Sequence, residues 1–466
     1  MSNNLNVGEK IYNLAKEIFP LNRSITGEGV RQTLEIINNY ISSPSFNPAQ
    51  KQDLAPKFKI HEIPSGTNVF DWTIPKEWKI NAAYIEDEHG NHIIDMKNNN
   101  LHVLGYSIPI DKWVDLEELK KYIYTQPDQP DVIPYVTSYY KERFGFCMSK
   151  RQLSELPDGN YHMYIDSQLF NGSLSYADLI IPGKTTNEVM ITSYTCHPSM
   201  ANNECSGPAL LAELIRYVSN MKQRKYTYRF LLNPETIGSI AYISQNLQHL
   251  KSKLIAGIVL SCVGDVRDYS IVHSRYGNTL ADKSLSHILK YCPHYTSYSY
   301  LDRGSDERQY NAPGVDLPVV TFCRSKFGTY PEYHTSADNM KLISPSGFQG
   351  SYDVMTKWVD AIESNEKYTV TVLCEPQLGK RGLYPTISQK NSYDTIRAMT
   401  NFIAYADGKN DLFDICNIIN EPIEKISSIA EKLMQNGLIG IHNCIFNHDE
   451  ELVFHLSHIY NKKNTK

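Results

Sequence analysis

From about Leu174 onward the chain alternates short, almost continuously apolar runs with helical stretches, and that alternation narrows the fold more than any other feature. Residues 188–195, EVMITSYT, read as a strand; a polar loop follows, then PALLAELIRYVSNMK, a helix with Pro208 near its first turn and leucines at helical spacing. Further strands are predicted at 226–232, 254–262 and 317–323, with helices from about Ile237 and over 282–290. Strands this apolar have no wet face, and strands separated by helices need a sheet covered on both sides. The expectation is a largely parallel α/β core. Residues 353–364 are expected to pack as a helix and 368–373 to form a late strand.

The flanks follow other periods. Residues 8–19 have the spacing of an amphipathic surface helix, and Thr26 is placed to cap a second one running to about Tyr40. Glu28 would face its positive end, but Gly29 stands where a capping box needs Glu or Gln. Between 57 and 171 the pieces FKIHEIP, WKINAAYIED, NHIIDM and YHMYIDS alternate as half-buried strands between Gly, Pro and Asn turns, with one short helix at 116–124. Trp72, Trp78 and Trp113 lie here and are expected to anchor a core. Beyond about Gln389 come helical segments at 394–405, 412–419 and 423–436, the last ending at Gly437 in a C′ position. LIGIHN and ELVFHLS are expected to form the wing of a winged-helix-like domain, and 460–466 a disordered tail. The chain thus divides into an α/β domain from 1–56 and 172–388, an inserted β-rich domain at 57–171, and the terminal domain at 389–466.

A length of 466 residues suits two or three such domains. A formal charge of -5 gives no reason to expect a polyanionic partner. In the terminal segment EPIEKISSIAEKLMQNG, Lys425 and Lys432 are offset by Glu421, Glu424 and Glu431 and no Arg is present, which disfavours DNA. Packing against the core, or homo-oligomer formation, is expected instead. Nine scattered cysteines without a tight pair, no secretory leader pattern and no run of about 18 apolar residues lead to the expectation of a reduced, cytoplasmic protein away from membranes.

The segment YTCHPSMANNECSG at 194–207 resembles the H…(A)-N-D-N-x-S-G block of co-catalytic zinc aminopeptidases. PETIGS at 234–239, LSCVGD at 260–265, RGSDERQ at 303–309 and PEYHTSADN at 331–339 follow in order. Together they make the chain similar to an uncharacterised bacterial aminopeptidase-like family with a zinc-exopeptidase-like (M28-type) core. Such a core is a three-layer sandwich on a mixed, mostly parallel sheet, here with an inserted β-rich domain and a C-terminal winged helix. The resemblance implies zinc, as one tightly held ion or a weakened pair. It makes His197 the first ligand and His334 the last, and puts Asn203 where the pattern has a bridging Asp. An amide offers one neutral oxygen in place of two anionic ones, so Asn203 as ligand stands beside Asn203 as a loop-stabilising group. Glu204 is anionic, but a shift of one residue is expected to point it elsewhere.

Glu235 matches the first Glu of an adjacent pair, and Thr236 replaces the second, so Glu235 is general base, ligand, or both. Cys262, at the end of a strand where relatives carry an acidic ligand, is read more readily as a small buried hydrophobe than as a thiolate ligand, with Asp265 the acidic alternative. Asp338 is expected to hold the site loop or an imidazole nitrogen. Asp306, Glu307 and Arg308 are read as pocket wall, with Arg308 available to a carboxylate or oxyanion; Glu332 would receive a substrate amine and Tyr333 would shape the pocket. Cys196 beside His197 suggests a thiol nucleophile, but neighbours on an extended chain point to opposite sides. Ser206 has no G-x-S-x-G elbow, and phosphate and dinucleotide loops are absent. The expected activity is metal-dependent hydrolysis of an N-terminal peptide bond or small amide. The alternatives are an amidase acting on an amino-sugar or cell-surface precursor, and a non-catalytic peptidase fold that binds a metabolite or protein.

Overall fold

The computed structural model describes residues 6–43, 55–384 and 392–442. The chain divides into two compact units, one of 1–282 with 294–356 and the other of 283–293 with 357–466.

The first unit is built on eight strands: β1 (Lys59–Pro64), β2 (Ser173–Ile181), β3 (Glu188–Tyr194), β4 (Thr227–Asn233), β5 (Leu254–Leu260), β6 (Ser270–Val272), β7 (Thr296–Tyr298) and β8 (Val319–Cys323). Their order across the sheet is β1-β2-β4-β3-β5-β8-β6-β7. The four central strands β4, β3, β5 and β8 are mutually parallel, while β1, β2 and the β8–β6 pair run antiparallel. Every residue of β3 is buried, as its mostly apolar run leads one to expect. Its one carboxylate, Glu188, is satisfied by Arg229 at 2.7 and 3.0 Å and by His249 at 2.7 Å. Helices α1 (Val7–Ile18), α2 (Glu28–Ser42), α3 (Ser206–Asn220) and α4 (Ile237–Lys253) belong to the same unit.

Because the central strands are parallel, the loops after β3, β4, β5 and β8 all leave the same edge, where such sheets carry their functional groups. After β3 the chain makes a π-helical turn, Ala201–Cys205, before α3 begins. Gly207 lets α3 start against the sheet. A Cβ there would lie 2.6 Å from the Leu260 carbonyl oxygen and closer still to Ser193 Oγ.

Several expectations shift. FKIHEIP does not join the β-rich insertion: as β1 it pairs with β2 in the main sheet. The insertion proper is a four-stranded antiparallel sheet of Glu77–Asp87, His92–Asp95, Ile110–Asp115 and Asn160–Phe170, plus a small hairpin of Asn68–Val69 and Trp72–Thr73. Trp78 is a core anchor, its indole donating to Ser107 O at 2.9 Å, whereas Trp72 and Trp113 are 38% and 50% exposed. The cap of α2 is Gly27 at φ 98°, a conformation suited to glycine; Thr26 instead bonds Tyr106 and accepts from Trp78 N.

In the second unit, helices Ser392–Tyr405, Leu412–Ile419 and Ile423–Gln435 fall where the periodicity put them, and Gly437 follows at φ 64°. The strand expected late in the α/β pattern, Lys367–Val370, pairs here instead, between Asp407–Asp411 and Ile439–Ile441. LIGIHN thus finds its partner upstream; ELVFHLS and 460–466 lie outside the described residues. No helix among the described residues is long and apolar enough to cross a membrane.

Candidate metal centre

The loops after β3 and β8 bring His197 and His334 together, with ring centroids 5.2 Å apart. The β3 loop is clamped from behind by Arg23, a wholly buried arginine whose Nε donates to His197 O at 2.9 Å and whose Nη2 reaches Cys205 Sγ at 3.1 Å. Nothing in the sequence around Arg23 marks it for this, since its partners at the site lie over 170 residues away. The π-helical turn is held by Asp338, whose two oxygens accept from Asn202 N at 2.6 Å and Asn203 N at 3.0 Å. Asp338 thus holds the site loop and does not bond an imidazole. Burial pushes its carboxyl up to about 6.

That turn overturns the expectation for Glu204. Widening the helix by one residue per turn re-aims its side chains, and Glu204 Oε2 lies 2.7 Å from His197 Nδ1. Cys196 is corrected in the same way: β3 ends at Tyr194, strand alternation no longer applies, and Cys196 Sγ lies 3.4 Å from His197 Nδ1. Burial holds this thiol well above its ordinary range, so it is no ready nucleophile. Cys196, His197 and Glu204 place donor atoms within 4.8 Å of one another. Glu235, after β4, puts Oε2 3.7 Å from His197 Nε2 and accepts from Ser305 Oγ at 2.7 Å through Oε1. Burial raises its carboxyl above the usual range.

Burial alone would lower His197, but Glu204 and then Glu235 outweigh it and raise the imidazole. His334 is pushed down to about 3 by burial and by His197, so its ring is neutral near neutrality. Its Nε2 has no hydrogen-bond partner, nor do Asn203 Oδ1 and Glu204 Oε1, all buried. An imidazole nitrogen, an amide oxygen and a carboxylate oxygen, buried without partners beside the second imidazole, fit a cation such as zinc. Asn203 is anchored as a loop-stabilising group, its amide nitrogen donating to Tyr194 OH at 2.9 Å, while its Oδ1 has no hydrogen-bond partner. Ser199, Thr236, Cys262 and His334 all hold positive φ, at 40°, 65°, 53° and 56°, a clustering of backbone strain that is itself typical of functional sites.

The remaining candidates divide between pocket and scaffold. Arg308 lines the cavity and donates to Thr236 Oγ1. Asp306 is buried under the site, accepting from Asn233, Thr236 N and Ser239, and is raised to about 7 by burial and by Glu235. Glu307 bonds Gly304 N, Ser305 N and Thr321. Both are scaffold and not the wall they were expected to form. Asp265 is taken up by Asn202, Arg267 N and Ser325. Glu332 is not free for a substrate amine, because Arg267 holds it at 2.6 and 2.9 Å. Tyr333 stacks on His334 with centroids 3.9 Å apart, and it orients that ring without lining the cavity. Cys262 is buried, its thiol pushed up to about 12 by burial, and sits 3.7 Å from the Asn203 amide nitrogen, in keeping with a small core residue.

The cavity over His197, about 340 Å³, has a second wall that sequence reading missed. It is made by Trp72, Tyr135, Thr137, Tyr139 and Tyr140 of the insertion. Residues 133–135 reach it by pairing with the His334 loop, through Tyr135 N to His334 O and Ser336 N to Ile133 O, both at 2.9 Å. Polar and tyrosine-rich, this stretch has no strand period to betray it.

This sheet, its inserted β-sheet and the loops at its edge define an α/β protein of zinc-aminopeptidase-like fold with a C-terminal winged helix. A zinc aminopeptidase from Bacillus subtilis superposes with a TM-score of 0.54 at 14% identity, over 76% of this chain and 93% of that one. Residues 12–365 match the family described as "Domain of unknown function (DUF4910)", and 366–440 match a winged helix-turn-helix. The chain belongs to the DUF4910 family. It is 41% identical, over 95% of its length and 98% of the other's, to a Clostridium acetobutylicum protein named "Putative polysaccharide biosynthesis protein with aminopeptidase-like domain". A crystal structure titled as that of a "putative peptidase" from Clostridium acetobutylicum matches with a TM-score of 0.85 at 40% identity, over 93% of this chain and 96% of that one.

Proposed function

We propose that the chain is a metal-dependent amide hydrolase of the aminopeptidase kind, with His197, Glu204 and His334 as the residues that hold zinc and Glu235 as general base. The observation that carries this is the neutral His334 ring, its Nε2 buried without a partner, 5.2 Å from a second imidazole that already bonds a carboxylate. When bound, zinc supplies a Lewis acid that polarises the scissile carbonyl and makes water acidic enough to attack near neutrality. Glu235, with its carboxyl raised by burial, takes the proton from that water and hands it to the departing amine. Ser305 fixes which oxygen of Glu235 faces the cavity. Arg308, steadied by Thr236, offers positive charge to the oxygen that becomes negative.

The test is metal analysis of tag-free protein beside His197→Ala and His334→Ala, followed by an amide-hydrolysis screen with and without chelator. Near-stoichiometric zinc in the parent, lost in both variants, and turnover abolished by chelator are expected. A metal-free parent after metal-replete purification would refute the reading.

A second reading, hydrolysis of an amide on an amino sugar, is favoured by the lining of the cavity. Glu235 is the single carboxylate among the described residues that line it, leaving no separate acid for a substrate ammonium, while Trp72, Tyr139 and Tyr140 offer faces on which a sugar ring can stack. The name of the Clostridium relative points the same way. Acetamido-sugar substrates in the same screen decide between the two.

A further inference from the structure

Next to the reaction cavity lies a second one of about 380 Å³, and Trp72 lines both. Its floor is the edge of α4 where the core meets the surface, with Ile240 and Ile243 buried and Leu247, one helical turn on, partly buried. Its other sides are Phe70 on the insertion hairpin and the loop carrying Pro313 and Val315. Asp71 is its only ionisable lining group among the described residues. The contrast between the two chambers is chemical: the first holds imidazoles, a carboxylate and a guanidinium, the second almost nothing but hydrocarbon. Phe70 is 59% exposed and Trp72 38%, which is unfavourable for aromatics unless something covers them, and Phe70 is held at φ 55°, out of the range bulky residues prefer.

We propose that this groove is a subsite for an aliphatic arm carried by the substrate, so that the chain acts on an amide whose polar end enters over His197 while a hydrocarbon chain runs past Trp72 along α4. The occupant is argued from continuity. A groove that shares the Trp72 indole with the reaction cavity lies within reach of a long molecule seated in that cavity. This assignment of substrate class rests on the amide-hydrolase reading, and the experiment separates the two.

Zinc-loaded Glu235→Gln protein, which binds without turning over, is titrated calorimetrically with acetyl-, hexanoyl- and decanoylglycinamide, and with the ethyl, hexyl and decyl amides of glycine. The two series place the arm on opposite sides of the scissile bond. In one of them affinity is expected to rise about 3-fold per methylene until the groove is full. Phe70→Asn, which suits the left-handed backbone, and Val315→Lys are each expected to flatten that rise; unchanged melting temperatures establish that both variants fold. Flat affinity or no binding in both series overturns the proposal, as does a rise that neither variant alters. Hydrolysis by the unsubstituted chain is scored apart. Graded binding without turnover removes the hydrolase reading and leaves the subsite; turnover indifferent to arm length removes the subsite and leaves the hydrolase.

Discussion

Glu204 and Glu235 flank one imidazole, yet their surroundings suit them to different tasks. Glu204 is wholly buried and bonded to His197 Nδ1, while Glu235 faces the cavity with Ser305 behind it. Glu235→Gln is therefore expected to keep its zinc and lose about 10²–10⁴-fold in turnover, whereas Glu204→Gln loses zinc; metal analysis and rate measured on the same preparations separate the roles. Asp338 touches no substrate and acts by holding the turn that carries Asn203 and Glu204. Asp338→Asn keeps the volume but leaves an acceptor for only one of the two backbone N–H groups and sets an NH₂ against the other, and zinc affinity should fall about 10–100-fold, read by competition with a chelating dye.

Among the elements, the junction of α3 with the sheet is the least forgiving. Gly207→Ala puts a methyl group against the backbone oxygen Leu260 O and against Ser193 Oγ, which is itself bonded to that oxygen, and a loss of about 1–3 kcal/mol in urea denaturation is expected. The helices and central strands were legible because their periods are long and their burial complete, as in β3. The candidate metal centre was legible only where residue type carries the chemistry, at His197, Glu235 and His334. Glu204 and Cys196 were misjudged because a π-helical turn and a strand ending at Tyr194 change side-chain direction without changing composition. Arg23 and the Tyr135 segment were missed because only the folded chain joins them to the site. Glu332 was misassigned because a free-looking carboxylate in sequence says nothing of an arginine 65 positions away.

For the whole first unit, acid is the informative perturbant. Burial alone would raise Glu188 and Asp282, but Arg229 and His249 for the one, and His273, Ser274 and Thr279 for the other, hold both carboxyls below their ordinary values. A carboxyl depressed on folding contributes stability that is complete above its unfolded pKa and lost as pH falls through the folded one. The contribution of these two carboxyls should therefore change little between about pH 7 and pH 6 and be lost below about pH 4, so the gap in denaturation midpoint between the parent and Asp282→Asn is expected to be constant over the first interval and to shrink over the second.

The tyrosine wall has a consequence for how such a chain diversifies. The groups that would hold zinc sit on loops of the main sheet, while one wall of the cavity over His197 is supplied by a stretch of sequence inserted before β2. On the hydrolase reading, reactivity and selectivity are thus written in separate passages of the same polypeptide. Drift in the insertion can retune what is accepted without touching how it is broken.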